Sequence, residues 1–581
     1  MSAPNHSDEN VVTGRFGATR GSDEASSRDS ALTGEPNREA VSDDGNGPSA
    51  DYLEAAVGLG YRPLPSRHSE LSDAYWDTKA FEILRSGFAL RLRGAQAGVQ
   101  VTLKSLDRPG FEDLETQRLE VGGLVEDASR PLDPASWPEA VRERVRAAAG
   151  EAPELAPICL LHQRHERIPL VNGEAGNGPV VAALNIDIVG IFDPRGIAAD
   201  DSLQGVTRLL EDGVPIVNVT ELELEPVAEG APAVLRDLAK RLRAIPDFAP
   251  AAGSQLEQAL EILADHPSGA APGKTGIFPG MPMAEAGRLM WQRQLLAMLL
   301  NEAGARRGED PEYVHDMRVA TRRARAVARL FGPFFRRKAL REHLDNLRRT
   351  ARALGAVRDA DVALLKLRKY AQARPAVEQQ GLAEIRAVWR VERRQACRSL
   401  LEWLDSPDYR SFVANFAEFC RTPGLGARTE DSGSEEAPAP SHVGHVIPSA
   451  ILNRFEQVRA FEPLFESAQP PSVSALHALR IDCKALRYSL EPVEHMLGEE
   501  ASELIQHLKR LQDLLGDLHD AVVADGRLAE LDDAVEPTAL ASYRAHQQSI
   551  FADLVAAAPE AWRAFVAPDN RRRLAIAIAR L

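Results

Sequence analysis

Residues 314–331 read VHDMRVATRRARAVARLF, and residues 476–487 read LHALRIDCKALR. Both stretches fit one motif, His-x-x-Arg-x-x-x-Arg/Lys-x-x-Arg, and the step from His315 to His477 is 162 residues. A second correspondence, between Leu347–Gly355 and Leu508–Gly516, follows at a step of 161 residues. Two correspondences in almost the same register indicate an internal repeat.

The repeated motif predicts a helix with one basic face. Steps of three and four residues bring its histidine and its basic residues to the same side of a helix. In the first copy the other side carries Met317, Ala320, Ala324 and Val327, which predicts that this side packs inward. Cations three or four residues apart repel one another, so the stripe costs stability unless an anion neutralises it.

The distribution of charge favours a polyanion site in this region. The whole chain has a formal net charge of −16, so it is no bulk polycation. Between His315 and Tyr370, however, 16 Lys and Arg stand against 5 Asp and Glu, a local net charge of +11. The alternative interpretation is that the basic stripe is an ordinary solvated helix surface, which would explain a single Arg-rich helix. The duplication of the stripe favours a binding site.

Composition divides the chain into segments. Residues 1–50 are rich in Ser, Gly, Asn, Asp and Glu, which predicts a disordered tail. Residues 51–264 contain short alternating segments typical of strands, whereas residues 284–581 repeat apolar residues at helical spacing. Residues 265–283 are rich in Pro and Gly and predict a linker. Residues 422–448, acidic and rich in Pro, Ser and Gly, predict a flexible insertion.

Cysteine usage and the absence of targeting signals predict a cytoplasmic protein. Cys159, Cys397, Cys420 and Cys483 form no CxxC pair, which disfavours a zinc cage or a disulfide framework. The opening residues MSAPNHSDENVV lack a basic region followed by an apolar core, so no secretory signal is predicted. No run of about 18 apolar residues occurs, so no membrane partner is expected.

On these residues the C-terminal half resembles the CHAD domain, the conserved histidine α-helical domain. The resemblance covers residues 284–567 and includes LKRLQDLLGDLHD at residues 508–520. It implies two pseudo-symmetric four-helix bundles whose basic cleft binds inorganic polyphosphate without a cofactor, and association with cytoplasmic polyphosphate granules. The implied polyphosphate-binding residues are His315, Arg318, Arg322, Arg323 and Arg325 on one side and His477, Arg480, Lys484 and Arg487 on the other, with Arg358 and Lys509 as supporting contacts.

Residues 51–264 resemble the CYTH domain, the triphosphate tunnel fold. The matching pieces are YWDT at Tyr75–Thr78, LRLR at Leu90–Arg93, TLK at Thr102–Lys104, Asp187, and ELELE at Glu221–Glu225. The resemblance implies an antiparallel eight-stranded β-barrel that binds a triphosphate through Arg91, Arg93, Lys104 and Arg164. It also implies that Glu221, Glu223 and Glu225, which share one strand face, hold Mg²⁺ or Mn²⁺. The expected fold class is therefore α+β, an incomplete antiparallel barrel followed by an all-α domain.

The N-terminal region departs from that family in its acidic residues. The family opens with a strand carrying Glu-x-Glu-x-Lys, and no such string precedes Asp51. After the strand of Lys104, where a second acidic pair is expected, the chain offers only Glu115 and Gln117. Fewer carboxylates predict weaker binding of the metal that polarises the phosphoryl group in this chemistry. The sequence therefore predicts a degenerate tunnel, and it assigns no catalytic residue.

Three functions compete on these grounds. The leading one is a non-catalytic polyphosphate-binding protein that uses the basic cleft. The alternative is a metal-dependent inorganic triphosphatase in the CYTH-like domain, favoured by the retained glutamates and opposed by the missing strand. Nucleic-acid binding ranks last, because no aromatic residues interleave the basic stripe and the acidic remainder repels a long duplex.

Overall fold

The chain divides into two compact units, Met1–Thr275 and Gly276–Leu581, and the division falls within the predicted linker. Across the part of the chain that the structure describes, no helix is long and apolar enough to cross a membrane. The computed structural model describes residues 12–16, 56–58, 60–95, 98–106, 119–172, 178–196, 213–227, 248–250, 253–267, 276–428, 441–467, 471–531 and 535–581, and a few isolated positions between 206 and 241.

Unit 1 is built on one antiparallel sheet. Its strands are β1 (Val12–Phe16), β2 (Tyr61–Pro63), β3 (Arg67–Thr78), β4 (Phe88–Ala95), β5 (Gly98–Ser105), β6 (Glu120–Leu124), β7 (Leu155–Asn172), β8 (Val180–Phe192), β9 (Val217–Pro226) and β10 (Phe248–Pro250). The order across the sheet is β10-β1-β9-β8-β7-β3-β4-β5-β6, and β2 pairs with β7 off this path. The described helices of the unit are α1 (Glu82–Arg85), α2 (Glu139–Ala149) and α3 (Gln255–Asp265).

The predicted antiparallel sheet is confirmed, but the described strands do not close into the barrel that the resemblance implies. Among the described strands, the two end strands β10 and β6 do not pair, so the sheet is open. These end strands have three and five residues, and they offer few backbone groups for closure. The part of the sheet that the structure describes has ten strands, whereas the resemblance implies eight.

Strand β1 lies inside the segment predicted to be a disordered tail, and no strand was expected before Asp51. It pairs with β10 and with β9, where Thr13 is opposite Glu223 and Arg15 is opposite Glu221. A strand this short draws its stability from its partners rather than from its composition, which explains why the composition of the tail does not reveal it. The rest of the tail lies outside the described residues.

Alternation along β4 and β5 separates a core face from a polar face. Leu90, Leu92 and Val101 are buried in an apolar cluster together with Trp76 of β3 and Val141 of α2. Because successive side chains of a strand point to opposite faces, the intervening residues of β4 and β5 turn their basic and hydroxyl groups to the other side of the sheet. The polar face is therefore held rigid by the packing of the apolar one.

Unit 2 is all-helical, and its two halves repeat the same order of long helices. The first half contains α4 (Met283–Arg307), α5 (Pro311–Leu330), α6 (Arg337–Gln372), α7 (Ala376–Leu404) and α8 (Pro407–Arg421). The second half contains α9 (Val443–Arg459), α10 (Glu462–Glu466), α11 (Val473–Leu490), α12 (Glu494–Leu497), α13 (Glu499–Ala529), α14 (Pro537–Phe565) and α15 (Pro568–Ile578). Helix α5 packs between α4 and α6, and α11 packs in the same way between α9 and α13.

The two copies of the motif lie on α5 and α11, as the periodicity predicts. Each helix begins at a side-chain cap: Asp310 accepts from the Glu312 amide at 2.9 Å, and Ser472 accepts from the Ala475 amide at 3.3 Å. The predicted inward face of α5 is buried, with Met317 at 0% and Ala324 at 2% exposed. The basic face of each helix is consequently turned away from the core of its own half.

Candidate functional site

The structure brings the two copies of the motif together. Helices α5 and α11 contact each other directly. The Glu491 carboxylate, in the 3-10 turn that follows α11, lies 3.6 Å from Arg323 of α5 and 3.0 Å from Arg487 of α11. One carboxylate therefore bridges the first copy and the second. We define the basic cluster as Arg318, Arg322 and Arg323 of α5 with Arg480, Lys484 and Arg487 of α11.

Several groups of the basic cluster have no internal partner. Among the described residues, no carboxylate lies within ion-pair distance of Arg322, Arg480 or Lys484. Three buried Nε atoms find no acceptor, those of Arg322 and Arg323 on α5 and of Arg480 on α11, whereas the Nε of Arg487 lies 3.0 Å from the Glu491 carboxylate. A buried N–H without a partner costs on the order of 1–3 kcal/mol, so this arrangement favours a ligand that supplies acceptors.

The cations of the basic cluster repel one another, and burial together with this repulsion lowers the pKa values of Lys484 and Arg480. Burial lowers the pKa of Lys484 to about 7, assisted by the charges of Arg480, Arg322, Arg318 and Arg487. Burial also lowers the pKa of Arg480; Asp520 opposes the effect, and Arg322 and Arg318 add to it. Helices α5 and α11 thus place cations near enough to destabilise one another, as expected of an anion site before its ligand binds.

Acidic and histidine residues of α6 and α13 border the basic cluster. Arg318 lies 3.8 Å from Asp359 of α6, and Lys366 lies 3.9 Å from Asp520 of α13. The ring of His477 is 5.0 Å from that of His519. Asp359 and Asp520 occupy equivalent places in the sequence repeat, and the charge of Asp520 acts on Arg480 of the second copy.

Other predicted binding residues lie at the side of the cluster or apart from it. His315 is half-buried on α5, and its pKa is lowered by burial and by the charge of Arg358. Arg358 itself is held by Glu312 at 3.3 Å. Arg325 is exposed. Partial desolvation lowers its pKa, and so do the charges of Arg348, Arg329 and Arg352, none of which belongs to α11.

Lys509 is exposed on α13, and no described contact connects it with α5 or α11. Sequence reasoning missed Glu491 and His519 as residues of this site. The repeat contains a signal for His519, because Arg358-Asp359 in the first copy corresponds to His519-Asp520 in the second. Nothing in the motif marks Glu491, because it follows the last motif residue and reaches the first copy only through packing.

Unit 1 contains a second candidate site, a cavity of about 290 Å³ on the polar face of the sheet. The predicted basic residues Arg91, Arg93 and Lys104 line it. His165, Asp187, Glu221 and Glu223 line it as well. The cavity therefore combines cations of β4 and β5 with carboxylates of β8 and β9.

The cations of this cavity already have internal counterions. Asp73 of β3 is fully buried and accepts two hydrogen bonds from Arg93, at 2.6 and 2.7 Å. It also accepts from Gln163 at 2.9 Å and lies 3.7 Å from Arg91. Glu120 of β6 lies 2.9 Å from Lys104 and 3.6 Å from Arg91. Burial alone would lower the pKa of Arg93, but Asp73 raises it overall.

The carboxylate side of the cavity is crowded. Burial raises the pKa of Glu223 to about 7, and Asp187, Glu221 and Glu225 add to the rise. The hydrogen bond between His165 Nδ1 and Asp187, 2.6 Å long, raises the pKa of that histidine.

Two of the residues predicted for the tunnel lie elsewhere. Arg164 was expected to point inward, but it is exposed, because its neighbours Gln163 and His165 occupy the cavity side of β7. Glu225 is bound by Arg167, and the amide of Asn185 reaches it at 3.4 Å. Glu115 and Gln117 lie outside the described residues.

The expected metal site is not assembled by the side chains that the structure describes. In the described ranges, no group of three or more His, Cys, Asp or Glu side chains could hold a metal ion. Asp187 and Glu225 are engaged by His165 and Arg167, which competes with coordination. Binding of Mg²⁺ or Mn²⁺ through Glu221, Glu223 and Glu225 therefore stays a prediction.

Comparison with known proteins identifies the helical region. Residues 289–529 match the family model of the CHAD domain. This part of the chain, which contains both copies of the motif and the whole basic cluster, is a CHAD domain. The predicted resemblance is thereby confirmed for these residues.

Relatives and solved structures similar to this chain are distant. An uncharacterized protein of Mycobacterium tuberculosis (strain CDC 1551 / Oshkosh) is 25% identical over 498 residues, which cover 83% of this chain and 85% of the relative. The CHAD domain from the plant Ricinus communis is 22% identical, and the match covers 53% of this chain and 94% of that one, with a TM-score of 0.37. HpAC1 from Hippeastrum, described as revealing a dominant triphosphatase activity, is 16% identical, and the match covers 43% of this chain and 93% of that one, with a TM-score of 0.25.

Proposed function

We propose that this protein binds inorganic polyphosphate at the basic cluster of its CHAD domain. The observation that carries the proposal is the set of three buried Nε–H groups without acceptors, which both helices of the basic cluster contribute. Phosphate oxygens supply acceptors in the geometry that a guanidinium fork prefers, with two parallel hydrogen bonds per contact. In this proposal the two halves act as pseudo-symmetric bundles that share one ligand.

A long phosphate chain suits the cluster better than a single phosphate. The cations come from two helices, and Glu491 already bridges one arginine of each. A polymer with a negative charge on every unit can contact both copies at once, and contacts made by one molecule reinforce each other through effective concentration. The CHAD domain can therefore hold polyphosphate although the whole chain is acidic.

Binding should be measured with the full-length chain by gel shift or filter binding, using polyphosphate, tripolyphosphate and single-stranded DNA at several salt concentrations. We expect polyphosphate to bind most tightly and its affinity to fall steeply with salt, because bound cations release counterions from the polyanion. Tighter binding of DNA than of polyphosphate at equal charge would overturn the proposal and favour nucleic-acid recognition.

A second candidate function is hydrolysis of inorganic triphosphate in unit 1, the alternative that the CYTH resemblance implies. One observation favours it: Arg91, Arg93 and Lys104 line the same cavity as Asp187 and Glu223. Against it, Asp73 and Glu120 already neutralise those cations. We therefore propose anion binding in this cavity only as a weak activity and expect little turnover.

The test is phosphate release from tripolyphosphate by the full-length chain with and without Mg²⁺ or Mn²⁺. We expect release no faster than background. Robust metal-dependent turnover that disappears in Glu223→Ala would establish the enzyme instead, since Glu223 lines the cavity of unit 1 and lies outside the CHAD domain.

A further inference from the structure

Helices α5 and α6 of the first half pack antiparallel, in a register that two contacts define. Near the start of α5, the Glu312 carboxylate lies 3.3 Å from Arg358 of α6. Further along α5, Arg318 lies against Gly355, where an added β-carbon would be 3.8 Å from the arginine Nε. The contact thus moves back along α6 as it moves forward along α5.

This register continues a stripe of exposed arginines beyond the basic cluster. About two turns after the contact of α5 with Gly355, it places Arg325 of α5 beside Arg348 of α6. Arg329 follows on the same face of α5 and Arg352 on the same face of α6, each four residues on. The charges of Arg348, Arg329 and Arg352 act on Arg325, in agreement with this placement. We define the basic track as these four arginines, which are all exposed and begin one turn beyond the cluster.

Among the described residues, Asp345 is the one counterion of the basic track. It contacts Arg348 from the preceding turn of α6. Within the same described part of the chain, no carboxylate lies within ion-pair distance of Arg325, Arg329 or Arg352. The track therefore keeps most of its positive charge, and it continues the field of the basic cluster along the first half.

The second half packs its equivalent helices in the same register. Gln512 of α13 donates to the Cys483 carbonyl of α11 at 2.6 Å. Nearer the start of α11, the rings of His477 and His519 are 5.0 Å apart. The repeat steps, 162 residues from α5 to α11 and 161 from α6 to α13, therefore identify structurally equivalent positions. The equivalents of the four track residues are Arg487, Glu491, Lys509 and Asp513.

These four equivalents in the second half have no net charge, because two are cations and two are acids. Glu491 lies 3.0 Å from Arg487 and neutralises it. Asp513 is exposed on α13 one turn after Lys509, and exposed Asp517 follows one turn later. A polyanion that extends from the basic cluster is therefore attracted by the first half and repelled by the second.

We propose that a long polyphosphate chain leaves the basic cluster in one direction, along the basic track of the first half. The inference rests on the proposed function, because the track has this ligand only if the cluster holds the neighbouring part of the same chain. Arg329 lies seven residues beyond Arg322, so the track lengthens the site by about 10 Å at about 1.5 Å per residue. Phosphates beyond those in the cluster add contacts on this side, and contacts made by one molecule reinforce each other. Affinity therefore depends on chain length.

The first experiment removes two arginines from the track. Arg329→Ala with Arg352→Ala is compared with the unchanged full-length chain in filter binding, using fractionated polyphosphates of increasing length that start at tripolyphosphate. We expect the variant to lose roughly tenfold in affinity for the longest chains, since exposed charge pairs contribute little individually but add up along one ligand. Affinity for tripolyphosphate, which the cluster alone can hold, should change less than about twofold.

Two further variants show whether the position of the charge matters. Arg386→Ala with Arg390→Ala removes the same charge from exposed positions of α7, and it should leave the dependence on chain length unchanged. Lys509→Ala removes the cation of the second half that corresponds to Arg348, and it should weaken binding of long chains less than about twofold. Circular dichroism checks that each variant remains helical.

Chemical protection tests the path without any substitution. Phenylglyoxal modifies accessible arginines, and mass spectrometry measures the modified fraction of each. Long polyphosphate should protect Arg329 and Arg352, whereas Arg510, exposed on α13, should stay reactive. Tripolyphosphate should leave all three reactive.

The outcomes separate this inference from the function on which it rests. If no polyphosphate binds at any length, the proposed function fails. If polyphosphate binds but the track variant matches the α7 variant at every length, the track is refuted and the binding function stands. If Lys509→Ala costs as much affinity as the track variant, or if Arg510 is protected together with Arg329, the chain crosses both halves and the single direction is overturned.

Discussion

The two candidate sites of this chain use similar cations in opposite ways. In the cavity of unit 1, Arg93 is held by the buried carboxylate of Asp73, and Lys104 by Glu120. In the basic cluster of unit 2, Arg322, Arg480 and Lys484 have no carboxylate within ion-pair distance in the described part of the chain, although the charge of Asp520 acts on Arg480. The first set is neutralised from within, and the second set depends on an external anion.

This difference shows how to judge whether a row of basic residues forms a strong anion-binding site. Cations with buried internal counterions are already compensated, and a phosphate must displace those counterions before it can bind. Cations that repel one another destabilise the fold, and binding of an anion recovers that free energy. The basic cluster is therefore the stronger binding site, although both sets are basic in sequence.

The largest effect on stability is expected when Asp73, the internal counterion of Arg91 and Arg93 in unit 1, is replaced. Asp73→Asn would leave Arg91 and Arg93 buried with a neutral partner, and breaking a buried pair in this way costs about 3–5 kcal/mol. Calorimetric unfolding of the full-length chain should show a destabilised transition, while Glu143→Gln on the exposed face of α2 should not change it. An unchanged transition would mean that the Asp73 pair contributes little.

The next effect concerns the ligand of the basic cluster. Arg322→Ala with Arg480→Ala removes one charged contact from each copy, and each contact contributes on the order of 1.5–3 kcal/mol. Polyphosphate affinity should therefore fall about 10²-fold or more, with a flatter salt dependence in filter binding. Stability should stay unchanged or rise, because two repelling cations are gone.

A matched control is available on α7. Arg386 and Arg390 are exposed, also lie four residues apart, and have no described ion pair. The double change of both to Ala removes the same charge from the same unit, and we expect it to alter polyphosphate affinity only slightly. Equal losses in the two double variants would show that net charge, and not the cluster, determines binding.

A smaller change should strengthen binding. Glu491→Gln removes the carboxylate that bridges Arg323 and Arg487, so these guanidinium groups no longer face a competing anion. Polyphosphate affinity should rise roughly tenfold, equivalent to one hydrogen bond to a charged group. A decrease in affinity, measured in the same titration, would instead show that Glu491 holds the two arginines in position.

A further effect is a pH dependence of the stability of unit 1. Since the pKa of Glu223 is raised to about 7 in the folded chain, the folded state binds more protons than the unfolded state between about pH 4.5 and 7. The Glu223 contribution therefore lowers stability as pH rises through this window. Calorimetry across pH should show that Glu223→Gln stabilises unit 1 most above pH 7 and hardly at all near pH 4.

Sequence alone determined the features that depend on local periodicity. Spacings of three and four residues placed the basic residues on one face of α5 and of α11 and the apolar residues on the other. The alternation in β4 and β5 likewise placed Arg91, Arg93 and Lys104 on one face. These predictions succeed because the geometry of a single helix or strand fixes which of its own residues share a side.

Only the tertiary structure decided which of these faces meet and which acids neutralise them. Asp73 and Arg93 are 20 residues apart and become partners through the pairing of β3 with β4. Glu491 reaches Arg323 only because α5 and α11 pack together, whereas Arg325 of the same stripe is directed toward Arg348 and Arg352 of α6. Strand β1 and the open edge of the sheet could not be predicted from the sequence either, because both depend on partners that are distant along the chain. Periodicity specifies the side of an element, but the packing of the whole chain selects its neighbour.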